Sequence, residues 1–190
     1  MNLSLPKALE IGGIMQPVRY DFRVILDIIE MLNDGDLTEE DKVEALLTMF
    51  YMFPEEITDQ TEAVQACFRF IDHQSGDRQR TKPGPQLIDW EQDIDLIIPA
   101  VNHVLGREIR EIEYVPETNT GGLHWWTFLS AFMEIGEESL FSQVLSIRDK
   151  RARGKKLEKH EREFWSRNRD LVEIRTKFTA AENDILKEWT

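Results

Sequence analysis

Apolar residues recur at helical spacing along most of the chain. From Asp21 to Leu32 the apolar set is Phe22, Val24, Ile25, Leu26, Ile28, Ile29, Met31 and Leu32, which predicts a helix buried on much of its circumference. Asn33-Asp34-Gly35 stops it in the manner of a glycine cap. Thr38 can then cap a second helix whose first turn is acidic and whose stripe is Val43, Leu46, Leu47 and Phe50, with Pro54 as the stop. Val64, Cys67, Phe68 and Ile71 mark a third helix over about 59–73. A polar, flexible loop is expected at 74–86, because that stretch has nothing to bury. Leu87, Trp90, Ile94, Ile97, Val101 and Leu105 define a fourth helix, which Pro99 should kink or split.

Residues 109–115 fit either a strand or an irregular turn, and Asn119-Thr120-Gly121-Gly122 is a breaker. Beyond it lie the aromatic segment from Leu123 to Ile135 and a helix carrying Leu140, Phe141, Val144, Leu145 and Ile147. Residues 1–20, with two glycines and two prolines and no clear period, read as an extended lead-in. One long helix is expected over 156–189, where Leu157, Phe164, Leu171, Phe178 and Ile185 recur every seven residues and Ile174, Ala181 and Trp189 form a partial second stripe. This is half a coiled-coil seam, with aromatics where a tight dimer prefers Ile or Leu. It either packs back on its own domain or docks, as an arm, on a partner or a second copy. The expected fold is therefore all-α, a helical bundle of about six helices with a core at 21–153 and a long basic C-terminal helix at 154–190.

Charge divides along the same boundary. Residues 1–147 carry 27 acids against 10 bases, whereas residues 148–190 carry 9 acids against 13 bases. An acidic body should repel nucleic acid and anionic membranes, leaving only the basic arm to attract them. The run Arg148, Lys150, Arg151, Arg153, Lys155, Lys156, Lys159 and Arg162 is read first as a solvated face or an electrostatic dock, with Arg148 and Arg151 as candidate partner contacts. Nucleic-acid binding is a third reading, since no base-stacking aromatic precedes Phe164 and Trp165. No apolar run approaches the roughly 18 residues a membrane span needs, and residues 1–10 lack the pattern of a secretory leader.

Motifs for catalysis and cofactors fail at named positions. Asp34-Gly35-Asp36 suggests a calcium loop, but with Gly35 at loop position six, positions one, three and twelve are Glu30, Leu32 and Asp41, so the paired oxygen ligands are missing. His160-Glu161 begins a zinc motif whose second histidine would have to be Phe164. Phosphate-binding glycine loops and a nucleophile elbow are missing from the sequence. Cys67 sits in an apolar stripe and reads as a buried, inert thiol. The expectation is a protein without catalytic residues, metal or cofactor. Trp125 and Trp126, about 100° apart on a helix, are either both core or one core and one interface anchor.

At His124-Trp125-Trp126-Thr127-Phe128-Leu129 the chain resembles the phage gene-product-fifteen family, small proteins of long-tailed siphophages. Asp21-Phe22-Arg23, Asp89-Trp90-Glu91-Gln92-Asp93 and Ile147-Arg148 fall in the same order, so the resemblance covers about residues 20–165. It implies a tail assembly chaperone, acting in the host cytoplasm, that coats the tape measure protein and is displaced as the major tail protein polymerises. That role rests on gene position and brings no catalytic residue. A structural tail or head-tail component retained in the virion is the alternative. Candidate partner contacts are Trp125, Trp126, Leu157, Phe164, Leu171, Phe178 and Ile185, together with Arg148 and Arg151.

Overall fold

The computed structural model describes residues 4–73 and 84–175. They divide into two compact units, one built from residues 4–73 and 110–129, the other from residues 84–109 and 130–175. Eight α-helices and two small antiparallel hairpins occur among the described residues, so the chain is mostly helical but not all-α.

In the first unit, β1 (Ala8–Ile11) pairs with β2 (Ile14–Pro17) across Gly12-Gly13. Both glycines have positive φ, the backbone that a two-residue hairpin turn requires. The hairpin leads Arg19 beneath α2 (Glu39–Phe50), where its guanidinium donates to the carbonyls of Thr48, Met49 and Tyr51 at 2.7–3.1 Å. These carbonyls end the helix and would otherwise lack partners. α1 (Phe22–Leu32) starts on Asp21 and buries Phe22, Ile25 and Ile28, a single face rather than the broad one its composition suggests. α2 starts on a capping box between Thr38 and Asp41, and α3 (Gln60–Ile71) on Asp59. Asp34-Gly35-Asp36 is the turn between α1 and α2, in which the Asp34 carboxylate accepts the Asp36 amide at 2.8 Å.

The second hairpin, β3 (Tyr114–Val115) with β4 (Thr120–Gly121), resolves the 109–115 segment into a 3-10 turn at Ile109–Glu111 and a short strand. Gly121 and Gly122 both sit at φ +77°; a Cβ on the first would overlap the Glu113 carbonyl and on the second the Asp21 carboxylate. Glycine is thus required where the hairpin closes on α1. α5 (Trp125–Met133) follows, and the division between units falls inside it.

The second unit is built on α4 (Trp90–Leu105), α6 (Leu140–Ala152), α7 (Lys159–Arg167) and α8 (Arg169–Val172). α4 runs unbroken through Pro99; the helical donor that proline lacks would have served the Asp95 carbonyl, and both residues are exposed to water. Gly106, left-handed at φ 66°, ends it. The single helix expected over 156–189 does not form in its described part. Leu157 precedes α7, and Asn168 breaks the helix with its side chain donating to the Phe164 carbonyl at 2.9 Å. After one turn of α8 the backbone is extended at Glu173. Leu157, Phe164 and Leu171 nevertheless share a purpose, packing with Val144, Ile147 and Val172 into one apolar cluster. Burial on α6 outweighs the heptad register. Phe178 and Ile185 lie outside the described residues, as does most of the loop expected at 74–86.

Candidate functional site

Arg148, a candidate partner contact, is buried inside the second unit. Its two terminal nitrogens grip the Asp93 carboxylate at 2.6 and 2.9 Å. The remaining donors reach the carbonyls of Leu87 (2.8 Å), Leu171 (2.9 Å) and Val172 (2.7 Å). All five guanidinium N–H groups are thereby satisfied. Asp93 also accepts the Asp89 amide, so the start of α4 is tied to the same charge pair. Gln92 adds two bonds to the tail, donating to the Glu173 carbonyl and accepting the Arg175 amide, both at 2.9 Å.

Other members of the basic run are also engaged internally. Lys150 donates to Glu161 at 2.5 Å, and Arg153 to Asp149 at the same distance. Arg151 lies 3.9 Å from the centre of the Trp165 ring and bonds Glu173. Lys155, Lys156, Lys159 and Arg162 remain exposed. Arg148 is therefore an internal tie, whereas Arg151 and Arg153 pair with acids on an exposed face.

In the first unit both tryptophans face one target. The Trp125 indole N–H donates to the Ile71 carbonyl and that of Trp126 to the Phe70 carbonyl, each at 2.9 Å. They cap the last turn of α3, where the Phe70 carbonyl also accepts the His73 amide at 3.1 Å. Two adjacent residues can do this because they open α5, beside the end of α3. Trp125 is fully buried and Trp126 half-buried.

His124 sets this corner. Its Nε2 bonds the Pro6 carbonyl at 2.8 Å and its Nδ1 accepts the Trp126 amide at 3.1 Å, an arrangement that fits the neutral ring. Burial, with Lys7 and His73 nearby, holds its pKa below the ordinary value near 6.5 against the opposing Pro6 bond. Asp21 accepts the amides of Arg23 (3.0 Å) and Leu123 (2.8 Å), and Phe22 stacks on Phe128 at 4.8 Å. Cys67 is buried, which pushes its thiol up and away from the thiolate a nucleophile needs.

The four segments that carried the resemblance thus meet in pairs: Asp21-Phe22-Arg23 with His124-Trp125-Trp126, and Asp89–Asp93 with Arg148. Each pair closes one unit. The model of the Bacteriophage Gp15 protein family matches residues 1–103, more than half of the chain. The chain belongs to that family. The match contains the Asp21 and Asp89–Asp93 segments, whereas His124-Trp125-Trp126 and Arg148 lie beyond it. Among curated proteins and among solved structures, nothing matches.

These Gp15-family motif residues are engaged internally, and apolar side chains elsewhere in the second unit stand exposed. Val104, Leu140 and Met133 in the second unit are 37%, 45% and 72% exposed. Val104 and Leu140 flank a groove of about 340 Å³. One wall is the α4 face Leu96, Pro99, Ala100 and Val104, and the other is Ile135 to Leu140. Asp95 and Glu138 stand at its rim, and no Lys or Arg lines it. In the described residues no helix is long and apolar enough to cross a membrane.

Two outcomes test these placements. Arg148→Met leaves Asp93 buried without its cation and frees three carbonyls, so it should lower stability by about 3–5 kcal/mol, read from urea unfolding. Replacing Asp93 by Leu as well should recover only part of this, because the Leu87, Leu171 and Val172 carbonyls stay unpartnered; an unchanged midpoint in Arg148→Met would contradict the placement. For His124 the folded pKa is depressed, so the unfolded chain binds more protons in the window below about 6.5. The stability it contributes is fully present above that value and lost as pH falls toward the folded pKa. The unfolding midpoint should fall between about pH 7.5 and about pH 5.5, and His124→Gln should flatten that dependence.

Proposed function

We propose that the protein is a non-enzymatic tail assembly chaperone that holds an amphipathic helix of the tape measure protein in the groove between α4 and the α5–α6 connection, in the host cytoplasm. The groove is the observation that carries this reading. Its α4 wall presents residues at three-four spacing, as a helix-binding surface does. Pro99, Ala100 and Gly136 line it as well, with little side-chain bulk of their own. Exposed Val104 and Leu140 supply apolar area that the fold itself leaves in water. The volume, about 340 Å³, lies within the range of roughly 300–1,000 Å³ typical of clefts that enclose a ligand.

Membership of the family supports the phage setting, and the role comes from the resemblance. A large excess of acids over residues 1–147 favours solubility of a complex whose other member is long and apolar. Arg148, Asp93 and His124 are buried with their hydrogen bonds made within the protein, in keeping with a structural part for these three groups.

Co-expression with overlapping fragments of the tape measure protein encoded in the same genome, followed by capture on the tagged full chain, tests the reading. One fragment should co-purify, and Val104→Glu with Leu140→Glu should reduce its capture by about tenfold or more, the loss expected for two central apolar contacts. Equal capture by the double variant would sink the groove. Purified phage particles should lack the protein by mass spectrometry; its presence in fixed ratio to tail protein would favour a retained structural component.

A further inference from the structure

We propose that α2 carries a second docking groove, in the first unit, whose occupant is a cationic amphipathic helix of a partner protein. Its existence does not depend on the groove in the second unit. One wall is a continuous face of α2 descending through Glu39 and Glu40, Val43 and Glu44, then Leu47 and Thr48. Pro54 and Gln60 form the other wall, and the space between is about 610 Å³. This is again cleft-sized.

Two features of this face cost the isolated protein stability and point to a ligand of one sign. Val43 occupies a position in the apolar stripe of α2, yet it is 37% exposed while its stripe-mates Leu46, Leu47 and Phe50 are buried. Phe53, just before the Pro54 wall, is 44% exposed. Nothing in the described residues covers this apolar strip. The second feature is electrostatic. Glu40 and Glu44 face each other one turn apart, an arrangement that weakens a helix unless a cation lies between them. The base on this helix, Lys42, is 3.7 Å from Glu39. No Lys or Arg lines the groove.

An apolar floor flanked by unneutralised carboxylates selects a helix with an apolar stripe and Lys or Arg on its flanks. The apolar stripe would cover Val43 and Pro54 while the basic side chains reach Glu40 and Glu44 by their long stems. An acidic or neutral helix would gain the burial and keep the repulsion, so the acids give sign selectivity more than affinity.

The test uses the full chain and synthetic probes in a fluorescence anisotropy titration. The first probe is a helical peptide of about five turns with Leu at three-four spacing and Lys on both flanks. A second has Glu in place of Lys, and a third has Gln in place of Leu. The Leu/Lys peptide should bind, and its affinity should fall as salt is raised well above physiological strength. The Glu and Gln peptides should bind at least about tenfold more weakly. Glu40→Lys with Glu44→Lys, and separately Val43→Gln, should each weaken the Leu/Lys peptide several-fold; all three positions are exposed, and circular dichroism checks that the fold survives. Leu140→Glu should leave this titration unchanged, which separates it from the second-unit groove. Equal binding of the Gln peptide, or indifference to the α2 substitutions, would overturn the proposal. Sedimentation showing self-association of the parent chain that Glu40→Lys with Glu44→Lys abolishes would assign the face to a second copy, and would overturn it equally.

Discussion

The guanidinium of Arg148 decides the shape of the second unit. Removing such a cation and the Asp93 carboxylate from water costs several kcal/mol per ion, and the pair persists only where the remaining donors and lone pairs are filled. Here they are, and the partners that fill them are what organise the unit. Asp93 fixes the start of α4, and the carbonyls of Leu171 and Val172 fix the end of the described chain. The helix breaks at Asn168, and the turn that follows brings those carbonyls to Arg148 in place of the regular helix that the seven-residue repeat suggests. The apolar side of the repeat still holds, through Leu157, Phe164 and Leu171, but in a folded-back arrangement. The first unit is closed by weaker but similar means: a neutral histidine, a buried carboxylate and two indole N–H groups, each directed at backbone left open at an element's end.

Much of the helical layout was legible in the sequence because most of the longer helices bury one face and begin on a side chain that can cap it. Thr38, Asp59, Asp89 and Ser139 all cap as such residues do. Hairpins were harder to read. Strands of four and two residues have too few positions to show alternation, and for β1 and β2 the signal was Gly12-Gly13 between apolar residues. Arg148 could not be told from its neighbours, since burial of one base among eight depends on a carboxylate more than fifty residues away. The exposure of Val43 and Leu140 was equally hidden. Periodicity identifies which face is apolar, and only the tertiary structure shows whether anything covers it.

These two kinds of result bear differently on function. Residues that the sequence marked as distinctive, the Trp pair and Arg148, prove to make their hydrogen bonds inside their own units. The surfaces proposed for a partner are instead formed by ordinary apolar residues on α2, α4 and α6 that the other described residues leave uncovered, each bordered by acids. Such a division suits a protein that must stay folded and soluble while lending apolar area to another chain.

Hydrogen exchange of the full chain, alone and bound to a captured tape measure fragment, tests the central claim most directly. Protection on binding should appear in residues 96–104 and 135–140, while residues 157–172 exchange as they do in the free protein. Protection concentrated in 157–172, with none along α4, would mean that the tail leaves Arg148 to bind and that the groove is not the working surface.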